Sequence, residues 1–171
     1  MDRRLEELLK DLDSAVQGMS DQQMIWHPPD KWCASEVLEH LYLTYTGTIK
    51  GFERVIQTGK PLATRATMKH RLRTLVVVGL GYLPSGRKAP PVAVPRGLPA
   101  KQVRTEMGTK ITEMNQIIAE CEDRFGRRVK LLDHPMLGPL SGEQWRKFHV
   151  AHGRLHEKQL RRLRRAQSSG S

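Results

Sequence analysis

Apolar residues recur three and four apart through four long stretches of this chain, and that spacing limits its fold more than any other feature. Leu5, Leu8, Leu9, Leu12, Val16 and Met19 form the first stripe, with Glu, Lys and Asp opposite, and predict a helix over residues 2–18. From Ala34 the stripe Val37, Leu38, Leu41, Tyr45, Ile49, Phe52, Val55 and Ile56 predicts a long second helix, stopped by Gly59-Lys60-Pro61. Pro99 can open a third helix at its first position, with Val103, Met107, Ile111, Met114, Ile117, Ile118 and Cys121 as its stripe until Phe125-Gly126. Ser141 and Gln144 pair as a capping box for a fourth, whose stripe is Trp145, Phe148, His152, Leu155, His156, Gln159 and Leu163.

The connecting segments read differently. Ser20 and Gln23 cap a short turn, and Trp26-His27-Pro28-Pro29-Asp30-Lys31-Trp32 is a loop because proline restrains itself and its predecessor. Cys33 stands at the N-cap of the second helix with Glu36 three residues on, a capping box with sulfur where a hydroxyl is the better acceptor. Residues 67–83 predict a short helix or buried lid, with a strand as the alternative, and residues 84–99 a proline-rich loop. The expected fold is therefore all-α: an up-down four-helix bundle with an extra short helix or lid between helices two and three, one domain over 1–166, and a disordered Ser/Gly tail over 167–171.

Composition narrows the function classes. At 171 residues, 38% hydrophobic and 27% charged, the chain can bury a core of its own and is neither a disordered nor a membrane-spanning type. No run approaches the length needed to cross a bilayer, and the charged start Met-Asp-Arg-Arg-Leu-Glu-Glu is unlike a signal peptide, so a cytoplasmic location and no membrane partner are expected. Cys33 and Cys121, the only cysteines, lack CxxC spacing and are expected as free thiols. A net charge of +11 favours polyanions in general. Its visible concentration is C-terminal (Arg146, Lys147, Arg154, Lys158, Arg161, Arg162, Arg164, Arg165), with the rest read as scattered, which weakens a nucleic-acid reading.

The chemistry-bearing pattern is histidine. His152 and His156, four apart on a helix, face the same way, so both imidazoles can reach one ion at about 2.0–2.1 Å. His40 lies between Val37 and Leu41 on or near the inward face of helix two and can supply a third ligand. Three neutral imidazoles leave a coordination position open, which is the pattern of a catalytic site and not of a closed structural one.

Around these residues the chain resembles the DinB-like superfamily, also called YfiT-like metal-dependent hydrolases. "KWCASEVLEHL" matches that family's Trp-Ser-x-x-Glu-x-x-x-His-Leu pattern, with Cys33 in place of Ser. "WRKFHVAHGRLHEKQL" matches its His-x-x-His-His-x-x-Gln pattern at His152, His156 and Gln159, with Leu155 replacing the middle histidine. "DHPMLGPLSGEQW" is similar to the His-Pro-x-x-Gly lead-in of one branch. The resemblance implies a four-helix bundle of the DinB-like type, a divalent metal (zinc first, nickel or iron otherwise) on His40, His152 and His156, and hydrolase or thiol transferase activity on a small molecule. It also implies a homodimer.

Among neighbours, Glu36 shares the face of His40 and is a candidate outer-shell partner or simply the N3 capping residue; Glu39 is rotated about 100° away and cannot serve the same site. Gln159 and His149 lie one turn from His156 and His152 and are the other outer-shell candidates. His134 reads as a loop residue fixing a turn, His27 and His70 as surface positions, and Tyr42 and Tyr45 as lining for the mouth of the site. No phosphate loop, serine elbow or Cys-His signature supports covalent catalysis. The competing reading is a non-catalytic binding or scaffold protein whose basic C-terminal helix contacts an acidic partner or nucleic acid.

Overall fold

The computed structural model describes residues 1–84, 86 and 88–168. Its helices are α1 (Arg3–Val16), α2 (Asp21–Ile25), α3 (Ala34–Thr58), α4 (Met68–Thr74), α5 (Ala100–Phe125) and α6 (Gly142–Ser168). A π turn (Leu75–Gly79) continues α4, a 3-10 turn covers Pro91–Ala93, and two short strands, β1 (Leu132–His134) and β2 (Gly138–Leu140), pair antiparallel. The protein is thus mostly helical, and the strand pair is a departure from the strand-free expectation. Three residues a side over Asp-His-Pro-Met-Leu-Gly-Pro give no alternation long enough to register as a strand. Helix α6 runs to Ser168, and Gln167 donates to the Gln23 carbonyl, so the expected tail begins too early; residues 169–171 of it lie outside the described residues.

Local chemistry sets the ends. The Asp2 carboxylate accepts from the Arg4 N–H at the start of α1, Ser20 and Gln23 form the reciprocal box of α2, and Gly59 closes α3 in the left-handed conformation (φ 67°). The four long helices turn their stripes inward onto one core, where Leu5, Leu8, Leu12, Leu41, Phe52, Ile111, Met114 and Ile118 are at most 1% exposed.

The helix directions correct the up-down expectation. Contacts Tyr42–Glu106, Phe52–Cys121 and Ile56–Arg124 advance together, so α3 and α5 are parallel. Arg4–Glu143, Leu8–Gly153 and Ser14–Arg164 show α1 and α6 parallel as well. Helix α3 opposes α6, through His40–His152 and Phe52–Trp145, and α5 opposes α6, through Asn115–Arg146 and Glu122–Gly142. The order is up-down-down-up, because the connection from Gly59 to Pro99 is long enough to carry the chain back along the molecule before α5 begins.

That connection carries the expected short helix, α4, which buries none of its own residues and so is not the alternative buried lid. Its inner side is fixed by polar contacts: Thr74 Oγ1 donates to the Leu137 carbonyl (3.1 Å) and Arg73 to that of Met136 (3.2 Å), while His70 sits over the hairpin at Gly138 and is half-buried, against the surface expectation. Further on, the Glu39 carboxylate, only 2% exposed, accepts the backbone N–H groups of Arg96 (2.6 Å), Gly97 (3.0 Å) and Leu98 (3.1 Å), and this ties the loop to α3.

Candidate metal centre

Helix α3 presents His40 one turn after Glu36, and α6 presents His152 and His156 on successive turns opposite it. The three imidazoles are buried (4%, 8% and 9% exposed) and their Nε2 atoms converge: His152 Nε2 lies 3.1 Å from those of both His40 and His156. Two bonds of about 2.05 Å at a tetrahedral centre span about 3.3 Å, so the set needs only a slight expansion to hold one ion. All ligand atoms of this triad lie within 4.8 Å of one another.

Outer contacts decide which nitrogens face inward. His40 Nδ1 is 2.7 Å from the Ala93 carbonyl and must donate to it, so the neutral ring turns a bare Nε2 inward. Gln159 Oε1, 3.0 Å from His156 Nδ1, does the same for His156. Burial pushes the pKa of all three rings down, that of His156 to about 4 and that of His152 well below its ordinary value, with the neighbouring imidazoles lowering it further. Neutral lone pairs aimed at one point from three sides fit a divalent ion by their own donor chemistry. Phe148 stacks on His152 (5.4 Å between centroids, 12° between planes) and Trp32 covers His40 (5.1 Å), leaving an apolar surround.

Of the expected outer-shell residues, only Gln159 touches the triad. The Glu36 carboxylate accepts from the Cys33 N–H (2.9 Å) and so acts as the N3 capping residue. His149 is fully buried, with Nε2 3.0 Å from Thr48 Oγ1; that hydroxyl gives its proton to the Thr44 carbonyl, so the ring donates and leaves Nδ1 bare. His134 fixes the hairpin turn, its Nδ1 accepting from the N–H groups of Met136 and Leu137. His27 is exposed. Neither tyrosine lines a mouth: Tyr42 donates to Glu106 (2.6 Å), and Tyr45 is 0% exposed beside His149, its phenol pushed up by burial.

Sequence reasoning missed Ala93, whose contribution is a backbone carbonyl, and set Glu39 aside as rotated away from the site, whereas its carboxylate holds the loop that carries Ala93. The only trace of Glu39 in the sequence is a charge on an otherwise inward-facing turn. His27, Cys33 and Glu36 form a second His/Cys/Glu grouping, but Glu36 is committed to the cap and the positive end of α3 opposes a cation there. Burial raises the Cys33 thiol and takes Cys121 to about 11, so both stay protonated near neutrality. The basic C-terminal cluster is partly committed within the chain: Arg146 pairs with Glu122 at 2.8 Å, both 9% exposed as side chains, Arg161 pairs with Glu157, and Arg164 donates to the Ser14 carbonyl.

A family model described as "Protein of unknown function (DUF1569)" matches residues 2–163. No curated protein and no solved structure matches the chain.

Proposed function

We propose that this chain, which belongs to the DUF1569 family, is a metal-dependent hydrolase or thiol transferase of the DinB-like type, built as a four-helix bundle, with His40, His152 and His156 holding a divalent ion, zinc first. The observation that carries the reading is the convergence of three neutral Nε2 atoms whose outer nitrogens are fixed by Ala93 and Gln159 for two of the three rings. A divalent ion in such a cage supplies Lewis-acid polarisation of a water or thiol and lowers its pKa toward neutrality. The chain's own part is to orient the ligands: the Ala93 carbonyl and Gln159 hold His40 and His156, and Phe148 and Trp32 exclude water from the ring faces.

The test is metal content of the chain purified without an affinity tag or chelator, alongside a His152→Ala, His156→Ala double variant. Near-stoichiometric zinc, nickel or iron in the wild type alone is the expected result, and a screen of thiol and ester substrates then follows. Absence of metal even after incubation with excess zinc or nickel overturns the reading and returns attention to a non-catalytic role.

A further inference from the structure

Charge is distributed along this chain in a way its total conceals. From Arg54 to Thr105 there are eleven Lys and Arg and no Asp or Glu, while the other 119 residues carry eighteen of each. The entire net charge of +11 therefore belongs to one 52-residue stretch, the end of α3 together with the connection and the start of α5. Elsewhere acidic and basic elements neutralise each other, as where α1, with Glu6, Glu7, Asp11 and Asp13, runs beside the basic α6.

The same stretch holds seven of the ten large apolar side chains exposed among the described residues. Five are on or just after the continuous helix formed by α4 and the π turn: Met68 (78% exposed), Leu72 (64%), Leu75 (61%), Leu80 (75%) and Tyr82 (62%). Spacings of four and three put the first three on one face, and Lys69 and Arg71 are exposed beside them. A helix on a globular surface normally turns its apolar face inward. This one gives the protein Arg73, Thr74 and Val77 and gives solvent its Met and Leu. Val92 and Val94 are exposed on either side of Ala93, whose carbonyl contacts His40 of the histidine cage.

An occupant must satisfy both the aliphatic stripe and cations that have no carboxylate near them in sequence. A second copy brings two such cationic surfaces together and is repelled. A nucleic acid neutralises the charge but leaves Met68, Leu72 and Leu75 unburied, since bases stack on aromatic and not aliphatic groups. An anionic bilayer answers both, with headgroups for Lys and Arg and the acyl boundary for Leu and Met. We propose that the helix from Met68 to Gly79, with Leu80 and Tyr82, docks this protein on the surface of an anionic lipid membrane. The expectation of no membrane partner rests on the lack of a spanning segment, and none of the described helices is long and apolar enough to span. A helix lying in the interface needs no such length. This inference is independent of the metal.

The test is co-sedimentation of the full chain with vesicles of phosphatidylcholine alone and of phosphatidylcholine with phosphatidylserine, for the wild type and two double variants, Leu72→Ser with Leu75→Ser and Lys69→Gln with Arg71→Gln. All four positions are exposed, and matching thermal melts establish that the variants fold. Binding to the phosphatidylserine vesicles, weakened about tenfold or more in each double variant and weakened by salt, is the expected result. No sedimentation with anionic vesicles overturns the proposal. So does vesicle binding that the Leu72→Ser, Leu75→Ser pair leaves unchanged, because the apolar face is then idle; tight binding to duplex DNA with none to vesicles assigns the surface to nucleic acid instead.

Discussion

Replacing Glu39 by Gln tests whether the loop over the histidines is held as the structure indicates. Glu39 Oε1 accepts from Arg96 N–H, and Oε2 accepts from both Gly97 and Leu98. The best the amide can do is keep its oxygen on the Gly97–Leu98 pair and set its NH2 against the Arg96 N–H, which leaves two donors facing each other in a site that is 2% exposed. Hydrogen bonds to a charged acceptor contribute about 1.5–3 kcal/mol each, and a buried orphan donor costs a similar amount, so a loss of about 3 kcal/mol is expected. For a chain of this size that lowers Tm by about 6–12 °C. The loop also delivers the Ala93 carbonyl to His40, so zinc affinity, measured by competition with a chromophoric chelator, should fall about tenfold or more. A Tm shift below about 2 °C would refute the anchoring role. A lowered Tm with zinc affinity unchanged would refute the link from Glu39 through the loop to the cage.

Two further expectations follow from buried charge and buried imidazole. Glu122→Ala removes the ion-pair partner of the buried Arg146 guanidinium, which keeps the Asn115 side chain and the charge of nearby Asp2, and should cost about 3 kcal/mol; a denaturant midpoint within error of the wild type would contradict it. Burial holds His134 at about 4 and His149 at about 3, against about 6.5 unfolded, so between these values the unfolded chain binds more protons. Their stabilising effect is therefore complete above about pH 6.5 and is lost as pH falls, by about 2 kcal/mol for each histidine between pH 6.5 and 5. Thermal melts of chelator-treated protein across that range should show the decline, and a shallower one in His134→Asn, whose Oδ1 replaces the Nδ1 acceptor; equal slopes would show that His134 does not contribute.

Much of the architecture is legible in the sequence because the 3.6-residue period marks each long helix directly. Direction is not. Stripes say which face is buried but not which neighbour lies against it, and a connection as long as Gly59–Pro99 can return on either course. The three histidines could be singled out because side chains at i and i+4 share a helix face and because two motifs pointed to His40 and to the pair. What hold them in place were not legible, since Ala93 acts through its carbonyl and Glu39 through three amides that only the folded loop brings together. The eleven-cation stretch was present in the sequence as a run without acids, but a count of positive clusters favours the dense C-terminal helix and overlooks a longer, thinner one.

The parallel pairing of α3 with α5 and of α1 with α6 also sets the order in which the cage can assemble. His40 and His152 are separated by 112 residues, and none of the four long helices packs only on its chain neighbours. Contacts of such sequence separation form slowly, after local helix, so the cage closes only when α6 docks against α3. Until then α6 alone offers a two-histidine clip, and an ion captured there holds few ligands. Tight metal binding should thus act as a clock for the last docking step: the rate at which a folding chain withdraws zinc from a weak chelator reports completion of the fold, not formation of its helices.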